Sequence, residues 1–123
     1  MVDSKNRFSS FAVDDMEAAT TFYTDTLGLD LTEGEMGTRW LHVGDNRRVL
    51  IYTKPNHTPA TFTILNFPVD DIEEAVDQLT GEGIEFEQYN EFNTDEKGVA
   101  RGDGPLIAWF KDPAENILSL IEE

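Results

Sequence analysis

The sequence predicts an α+β fold in which two βαβββ modules form one curved mixed sheet with the helices outside. First, the stretch FAVDDMEAATTFYT from Phe11 recurs as FPVDDIEEAVDQLT from Phe67, with identical residues at seven of fourteen positions. Second, each copy changes from the two-residue period of a strand to the period of a helix at its Asp-Asp pair. Third, each copy is followed by three short apolar runs separated by turn residues. Because about 60 residues bury little surface alone, we expect both modules to share one sheet.

The first strand of each module precedes the Asp-Asp pair. In RFSSFAV, alternation turns Ser9, Phe11 and Val13 toward the helix, and it turns Phe8, Ser10 and Ala12 toward the concave face of the sheet. In TFTILNFPV, the positions equivalent to Phe8 and Ser10 are occupied by Ile64 and Asn66. We therefore expect these two residues on the concave face as well.

The helices follow the Asp-Asp pairs. Asp14 and Asp70 are the expected N-caps, and Glu17 and Glu73 follow three residues later, as in a capping box. Apolar residues then recur at helical spacing in both copies: Met16, Ala19, Tyr23 and Leu27 in the first, and Ile72, Ala75, Val76 and Leu79 in the second. Glycines end both helices.

Three strands are predicted after each helix. They are LDLTEG, TRWLHV and RVLIYT in the first module, and IEFEQY, PLIAWF and NILSLI in the second. KPNHTPA, residues 54–60, connects the modules, so residues 1–56 and 57–123 form the two halves of a single domain. NEFNTDEKGVARGDG, residues 90–104, is expected to be a lid over the concave face or a mobile surface loop. Within it, Arg101 is expected in a surface ion pair, or alternatively at an anionic ligand group.

Charge and composition exclude several classes of function. The net charge is −16, which disfavours binding to nucleic acid. We interpret this acidity mainly as adaptation to high salt and solubility, and attraction of a cationic ligand is the alternative. Without cysteine the chain has no disulfide, thiolate metal site or Cys nucleophile. No apolar run is long enough to cross a membrane and the start is polar, so we expect a soluble cytoplasmic protein.

The paired modules resemble the vicinal oxygen chelate superfamily, which includes glyoxalase I, extradiol dioxygenases, methylmalonyl-CoA epimerase and the bleomycin and fosfomycin resistance proteins. The stretches VDDMEAATTFYTDTLGL and AWFKDPAENILSLIEE carry the resemblance, which covers nearly the whole chain. These motifs are specific for the fold and not for one activity. The resemblance implies a homodimer, and for the drug-sequestering relatives it implies pockets that are often shared between subunits.

The resemblance also implies where a metal would be bound. Enzymes of the superfamily hold a divalent cation with His, Glu or Gln side chains on the first and fourth strands of each module. The matching positions here are Phe8, Ile51, Ile64 and Ser119. A shift of one residue brings in only Ser9, Leu50 or Tyr52, Leu65, and Leu118 or Leu120. We therefore expect no metal, no other cofactor and no catalytic residue.

Ligand binding is the remaining expectation for the concave face. Trp40 and Trp109 lie on equivalent strands and would pack in a core or dimer interface, or stack on a flat ligand. Tyr52 and Tyr89 carry the same two alternatives. His42 is expected to line the pocket or form a hydrogen bond at its edge, and Ser10 and Asn66 to bind a ligand, a water or a neighbouring backbone group. The predicted ligand-binding residues are Phe8, Ser10, Trp40, His42, Ile51, Ile64, Asn66, Trp109 and Ser119.

The predicted function is that of a metal-free protein that sequesters or senses an apolar or aromatic small molecule, without nucleic acid or membrane as a partner. One alternative is a metal-dependent lyase, isomerase or dioxygenase that uses unrecognised ligands. Another is an interaction module whose own side chains fill the concave face.

Overall fold

A computed structural model describes residues 2–123. The chain forms two compact units, and the boundary between them along the chain lies between Thr58 and Pro59. The first unit contains β1 (Ser9–Val13), α1 (Met16–Thr21), β2 (Asp30–Glu33), β3 (Arg39–His42) and β4 (Arg48–Thr53). The second contains β5 (Thr63–Pro68), α2 (Ile72–Gly81), β6 (Val99–Ala100), β7 (Leu106–Lys111) and β8 (Ile117–Glu122). The predicted α+β class is confirmed, with one βαβββ module in each unit. The predicted module boundary after residue 56 stays a prediction.

Each unit has its own four-stranded mixed sheet. The strand order is β1-β4-β3-β2 in the first and β5-β8-β7-β6 in the second. In both sheets the first strand pairs parallel with the last, and the other pairs are antiparallel. The same topology in both units is the structural counterpart of the repeated sequence.

Both helices begin one residue later than the sequence analysis predicts. Asp15 and Asp71 are the N-caps, and their carboxylates accept hydrogen bonds from the backbone N–H of Ala18 and Glu74, each at 3.1 Å. The prediction of Asp14 and Asp70 was therefore wrong. The expected capping boxes are wrong for the same reason, because Glu17 and Glu73 then lie only two residues after the cap, where they still favour the helix dipole.

The first helix changes its winding after Thr21. Residues Phe22–Thr26 are π-helical, and the N–H of Leu27 donates to the carbonyl oxygen of Phe22, five residues earlier, at 3.0 Å. Ala19 and Tyr23 are almost fully buried, and the ring of Tyr23 lies 5.8 Å from that of Phe11 on β1. The predicted apolar stripe therefore does cover one face of the first sheet.

The second module differs from the prediction between its helix and β7. Residues 84–89 were predicted to be a strand, but the strand next to β7 is β6, from within the segment predicted to be a lid or mobile loop. Gly98, with φ +90°, allows this segment to pass close to Phe86, because a Cβ at Gly98 would lie 2.8 Å from the Cβ of Phe86. Arg101 forms the expected surface ion pairs, with Asp95 at 2.9 Å and Glu73 at 3.3 Å.

The turn between β7 and β8 is closed by two buried side chains. The carboxylate of Asp112 accepts hydrogen bonds from the N–H of Ala114, from the N–H of Asn116 and from the Asn116 side chain. Glu115 has φ +67°, so it takes the left-handed conformation, which is uncommon for residues other than glycine. The turn fixes the register of β7 and β8, on which Trp109 and Ser119 lie.

No helix of the described residues combines the length and the apolar character needed to cross a membrane.

Candidate functional site

The first sheet has one face toward α1 and one face away from it. Ser10, Leu50 and Trp40 form a row across β1, β4 and β3 on the latter face. Next to this row the Phe8 ring meets Trp40 edge-on at 4.9 Å, and the Arg48 guanidinium carbon lies 3.8 Å from the centre of the Trp40 ring. The structure thus brings Phe8, Ser10 and Trp40 together, as predicted for residues that line a common surface. Ligand contact there stays a prediction.

His42 lies on the same face as Trp40, at the end of β3. Its Nε2 is hydrogen-bonded to Thr32 Oγ1 on the neighbouring strand at 2.9 Å. The histidine is therefore hydrogen-bonded at the edge of the sheet, and its place at a ligand pocket stays a prediction.

Ile51 was predicted on the concave face, and the structure corrects this placement. It is fully buried and stands opposite Phe11 in the register of β1 and β4. Because directly opposed residues share one face of a sheet, Ile51 faces α1 together with Phe11. The residues of β4 that lie on the other face are Arg48, Leu50 and Tyr52, and none of them is a His, Glu or Gln.

In the second sheet, the equivalent row contains three of the predicted residues. Asn66, Ser119 and Trp109 are opposite one another across β5, β8 and β7. The Ser119 hydroxyl is buried and donates to the side-chain oxygen of exposed Asn66. Ile64 lies at an irregularity between Thr63 and Leu65, so it has no register partner on β8. The buried hydroxyl is thus satisfied by Asn66 and needs no ligand.

Trp109 also lines a cavity of about 690 Å³ that lies within the second unit. We call it the aromatic cavity, because its walls carry the rings of Phe62, Tyr89, Phe92 and Trp109. The charged residues that line it are Glu87, Glu91, Lys111 and Glu115. Phe62 is 68% exposed and Phe92 is 51% exposed, so large apolar surface is open to solvent here. The volume and the lining are typical of a site for a small organic molecule.

Three of the rings form one cluster. The Trp109 ring centre lies 5.3 Å from that of Tyr89 and 5.2 Å from that of Phe92, and Tyr89 and Phe92 are 6.1 Å apart. Trp109 is also held from the other side, because its Nε1–H donates to Thr63 Oγ1 at 3.2 Å. The ring is therefore oriented before any ligand arrives.

The segment after α2 presents Tyr89 and Phe92 to Trp109. Glu87 N–H donates to the Trp109 carbonyl oxygen at 2.8 Å, which ties the segment to β7. A single tight turn follows at Asn90–Phe92, and the left-handed Asn93 ends it with φ 54°. Thr94 Oγ1 then accepts a hydrogen bond from Tyr89 N–H at 2.9 Å. Although residues 84–89 are not a strand, these bonds give them a defined position beside the sheet.

Carboxylates dominate the electrostatics of the aromatic cavity. Lys111 Nζ lies 3.7 Å from Glu87 Oε1, and no ion pair of the described residues involves Glu91 or Glu115. Burial, followed by the charge of Glu87, raises the pKa of Tyr89, and Lys111 opposes this only in part. Tyr89 therefore carries a neutral phenol at neutral pH.

The metal implied by the fold does not fit the side chains present. Of the four matching positions, three hold hydrocarbon side chains and the fourth holds Ser119, whose hydroxyl is already bonded to Asn66. Within residues 2–123, no three His, Asp or Glu side chains lie close enough together to hold a metal ion. These residues offer no set of ligands that suits a zinc, manganese or iron ion.

The sequence predicts Trp109 as a ligand-binding residue and Tyr89 as a residue that packs or stacks, but it does not predict the remaining walls of the aromatic cavity. The signal is EQYNEF, in which aromatic and acidic residues alternate, followed two strands later by Trp109 and Lys111. Its first half, which ends at Tyr89, was predicted to end a strand, and Asn90–Phe92 were predicted to begin the lid or mobile loop. Only the packing of the segment beside β7 brings its rings to Trp109.

Comparison with known proteins shows a family match over most of the chain. The family model described as Glyoxalase/Bleomycin resistance protein/Dioxygenase superfamily matches residues 7–120. No curated protein matches the chain.

Solved structures similar to the chain differ widely in what they are described as doing. TnmS3, an antibiotic binding protein from Streptomyces sp. CB03234, is 26% identical with a TM-score of 0.71, over 99% of this chain and 98% of that one. The lactoylglutathione lyase of Agrobacterium tumefaciens is 21% identical with a TM-score of 0.67, over 98% and 94%. The fosfomycin resistance protein FosX of Listeria monocytogenes is 11% identical with a TM-score of 0.75, over 100% and 95%. The last two likenesses show the fold alone.

Proposed function

This chain belongs to the Glyoxalase/Bleomycin resistance protein/Dioxygenase superfamily, and from that premise we propose that it is a metal-free member which binds an apolar or aromatic small molecule without transforming it. The observation that carries the proposal is the aromatic cavity beside Trp109, in a chain whose residues at the metal-ligand positions cannot hold a cation. The antibiotic binding protein among the similar structures supports the same kind of function.

Stacking and burial supply the affinity in this proposal. A flat ligand covers the exposed faces of Phe62 and Phe92 and the already oriented ring of Trp109, so apolar surface leaves water on both partners. Because the Trp109 ring is fixed by Thr63 and its neighbours, little side-chain freedom is lost on binding. The biological effect would be sequestration or sensing, which needs affinity and no chemical step.

Trp109→Ala is expected to weaken binding of a flat aromatic ligand by about tenfold, equivalent to about 1.4 kcal/mol. Ligands would first be found by thermal-shift screening of a metabolite and antibiotic library, and affinities then measured by titration calorimetry. Phe92→Ala, which removes an exposed ring, should weaken binding in the same direction with little risk to folding.

Trp40→Ala is the matched control, because it removes a ring of the same type from the first unit. If only Trp40→Ala weakens binding, the ligand is bound by the residues predicted in the first module and the cavity is not the site. Stoichiometric zinc, nickel, manganese or iron in the purified protein would instead favour the metal-dependent lyase, isomerase or dioxygenase. If no library compound stabilises the protein, it is better described as an interaction module.

Two further features belong to the same proposal. We expect the protein to act in the cytoplasm. We also expect it to form a homodimer, since members of this superfamily are often dimers. Sedimentation velocity at micromolar concentration tests the dimer directly.

A further inference from the structure

The charges around the aromatic cavity point to a more specific ligand than a flat ring alone. Glu87, Glu91 and Glu115 line the cavity, and Lys111 is the single cation among the lining residues. Lys111 lies 3.7 Å from Glu87, which leaves Glu91 and Glu115 without a basic partner among the residues described. The wall of the aromatic cavity therefore carries an excess of negative charge.

The aromatic rings of the cavity add to this preference. The face of an aromatic ring carries negative charge density, and a cation above it is attracted, most strongly by tryptophan. The raised pKa of Tyr89 keeps its ring neutral, so its edge offers a hydroxyl and not a phenolate. A positively charged planar molecule thus gains from the ring faces and from the carboxylates together, whereas a planar anion gains only the stacking.

Lys111 opposes the binding of a positively charged ligand in this cavity. Its ammonium group lies 3.7 Å from Glu87 Oε1, where the charge of a cationic ligand would also be attracted, and its side chain is 38% exposed. In the empty cavity, Lys111 relieves the repulsion among the carboxylates. A cationic ligand has to displace it or share Glu87 with it.

We propose that the aromatic cavity selects a planar aromatic compound that carries a positive charge, and that Lys111 lowers the affinity by competing for Glu87. The inference rests on the proposed function and specifies the chemical class of its ligand. It depends on the position of the charges along the cavity wall, and not on the acidity of the protein as a whole.

Three probes of one ring system separate charge from stacking. N-methylquinolinium is a permanent cation, quinoline is neutral at pH 7.5, and quinoline-2-carboxylate is an anion. Binding is followed through quenching of Trp109 in the Trp40→Phe variant, where Trp109 is the remaining tryptophan. We expect N-methylquinolinium to bind about tenfold more tightly than quinoline and quinoline-2-carboxylate to bind most weakly, with the cation's advantage falling as NaCl is added.

Variants then locate the effect. Lys111→Gln should tighten N-methylquinolinium binding severalfold and leave quinoline unchanged, and Glu115→Gln should weaken N-methylquinolinium binding alone. Lys54→Gln makes the same change in net charge at a residue that does not line the cavity, and it should change neither affinity.

Each outcome is informative. If quinoline and N-methylquinolinium bind equally well, or if Lys111→Gln and Lys54→Gln act alike, the selectivity for a cation is overturned while the proposed aromatic ligand stands. If no probe quenches Trp109, the selectivity for a planar cation is overturned, and the proposed function is decided separately by the thermal-shift screen of the library. Tighter cation binding by Lys111→Gln alone supports the inference.

Discussion

At the scale of single residues, Asp95 shows how a side chain in a polar loop becomes structural. Its carboxylate accepts hydrogen bonds from the N–H of Lys97 at 2.9 Å, from the N–H of Val99 at 3.0 Å and from Arg101 Nε at 2.9 Å. Burial by itself would raise the pKa of Asp95, but the hydrogen bonds from Arg101, Val99 and Lys97 outweigh it and hold the pKa below the ordinary value of 3.8. The ionised group thus folds the loop around itself and presents Val99 to the sheet.

Replacing Asp95 by Asn is expected to lower the free energy of unfolding by about 1 kcal/mol near neutral pH, after allowance for partial exposure of the ion pair. A carboxylate with a lowered folded-state pKa stabilises the fold above its ordinary pKa, and this contribution is lost as pH falls through the folded-state value. The difference between wild type and Asp95→Asn should therefore be constant from about pH 5 to 7 and shrink below about pH 4.

Urea unfolding at a series of pH values measures this difference. Asp103→Asn, which changes an exposed residue of the same loop, should have almost no effect at any pH. A constant difference down to pH 3 would mean that the charge of Asp95 does not contribute.

At the scale of elements, the start of α2 connects the helix to the sheet below it. Asp71 accepts from the N–H of Glu74 within the helix, and Glu122 Oε1 on β8 accepts from the N–H of Ile72 at 2.9 Å. Two of the N–H groups that have no partner inside a helix are satisfied in this way. The last strand of the module thus helps to fix where its helix begins.

The neighbouring Asp70 and Asp71 provide a matched pair of variants. Asp71→Ala is expected to lower the free energy of unfolding by about 1 kcal/mol through loss of the cap. Asp70→Ala removes the same charge from an exposed position and should change it by less than about 0.5 kcal/mol. Chemical denaturation of both variants gives the two values, and equal effects would show that charge and not capping is responsible.

At the scale of the whole molecule, self-repulsion acts against the compact state. There are 25 acidic residues and nine Lys and Arg, so most carboxylates have no basic partner. The ion pairs in the second unit join partly exposed side chains, and pairs of this kind contribute little each. Repulsion among the unpaired carboxylates should therefore outweigh them.

Added salt is accordingly expected to stabilise the protein. Raising NaCl from 0.01 to 0.3 M shortens the screening length from about 30 Å to well below 10 Å, and the melting temperature should rise by about 4 °C per kcal/mol gained. Calorimetry at a series of NaCl concentrations measures the rise, with sucrose of equal osmolality as the control. The steepest change should come below 0.1 M, and a falling melting temperature would show that the ion pairs dominate.

The sequence by itself determined the repeated βαβββ order, the stripes that cover each sheet and the position of each helix start to within one residue. These features depend on local periodicity and on the Asp-Asp pairs, which are written in contiguous residues. The sequence could not show whether Asp70 or Asp71 is the cap, because both have the required side chain. The difference between them is the backbone conformation at the start of the helix, which the sequence does not record.

Tertiary structure decided the site. Residues 84–89 have the pattern of a strand, yet Val99–Ala100 is the strand that pairs with β7. Gly98, which has no side chain, lets the segment before this strand pass close to Phe86. The face of Ile51 was set by its register with Phe11. The walls of the aromatic cavity come from segments as far apart as Phe62 and Ile117, and no local pattern records which distant side chains packing will bring together.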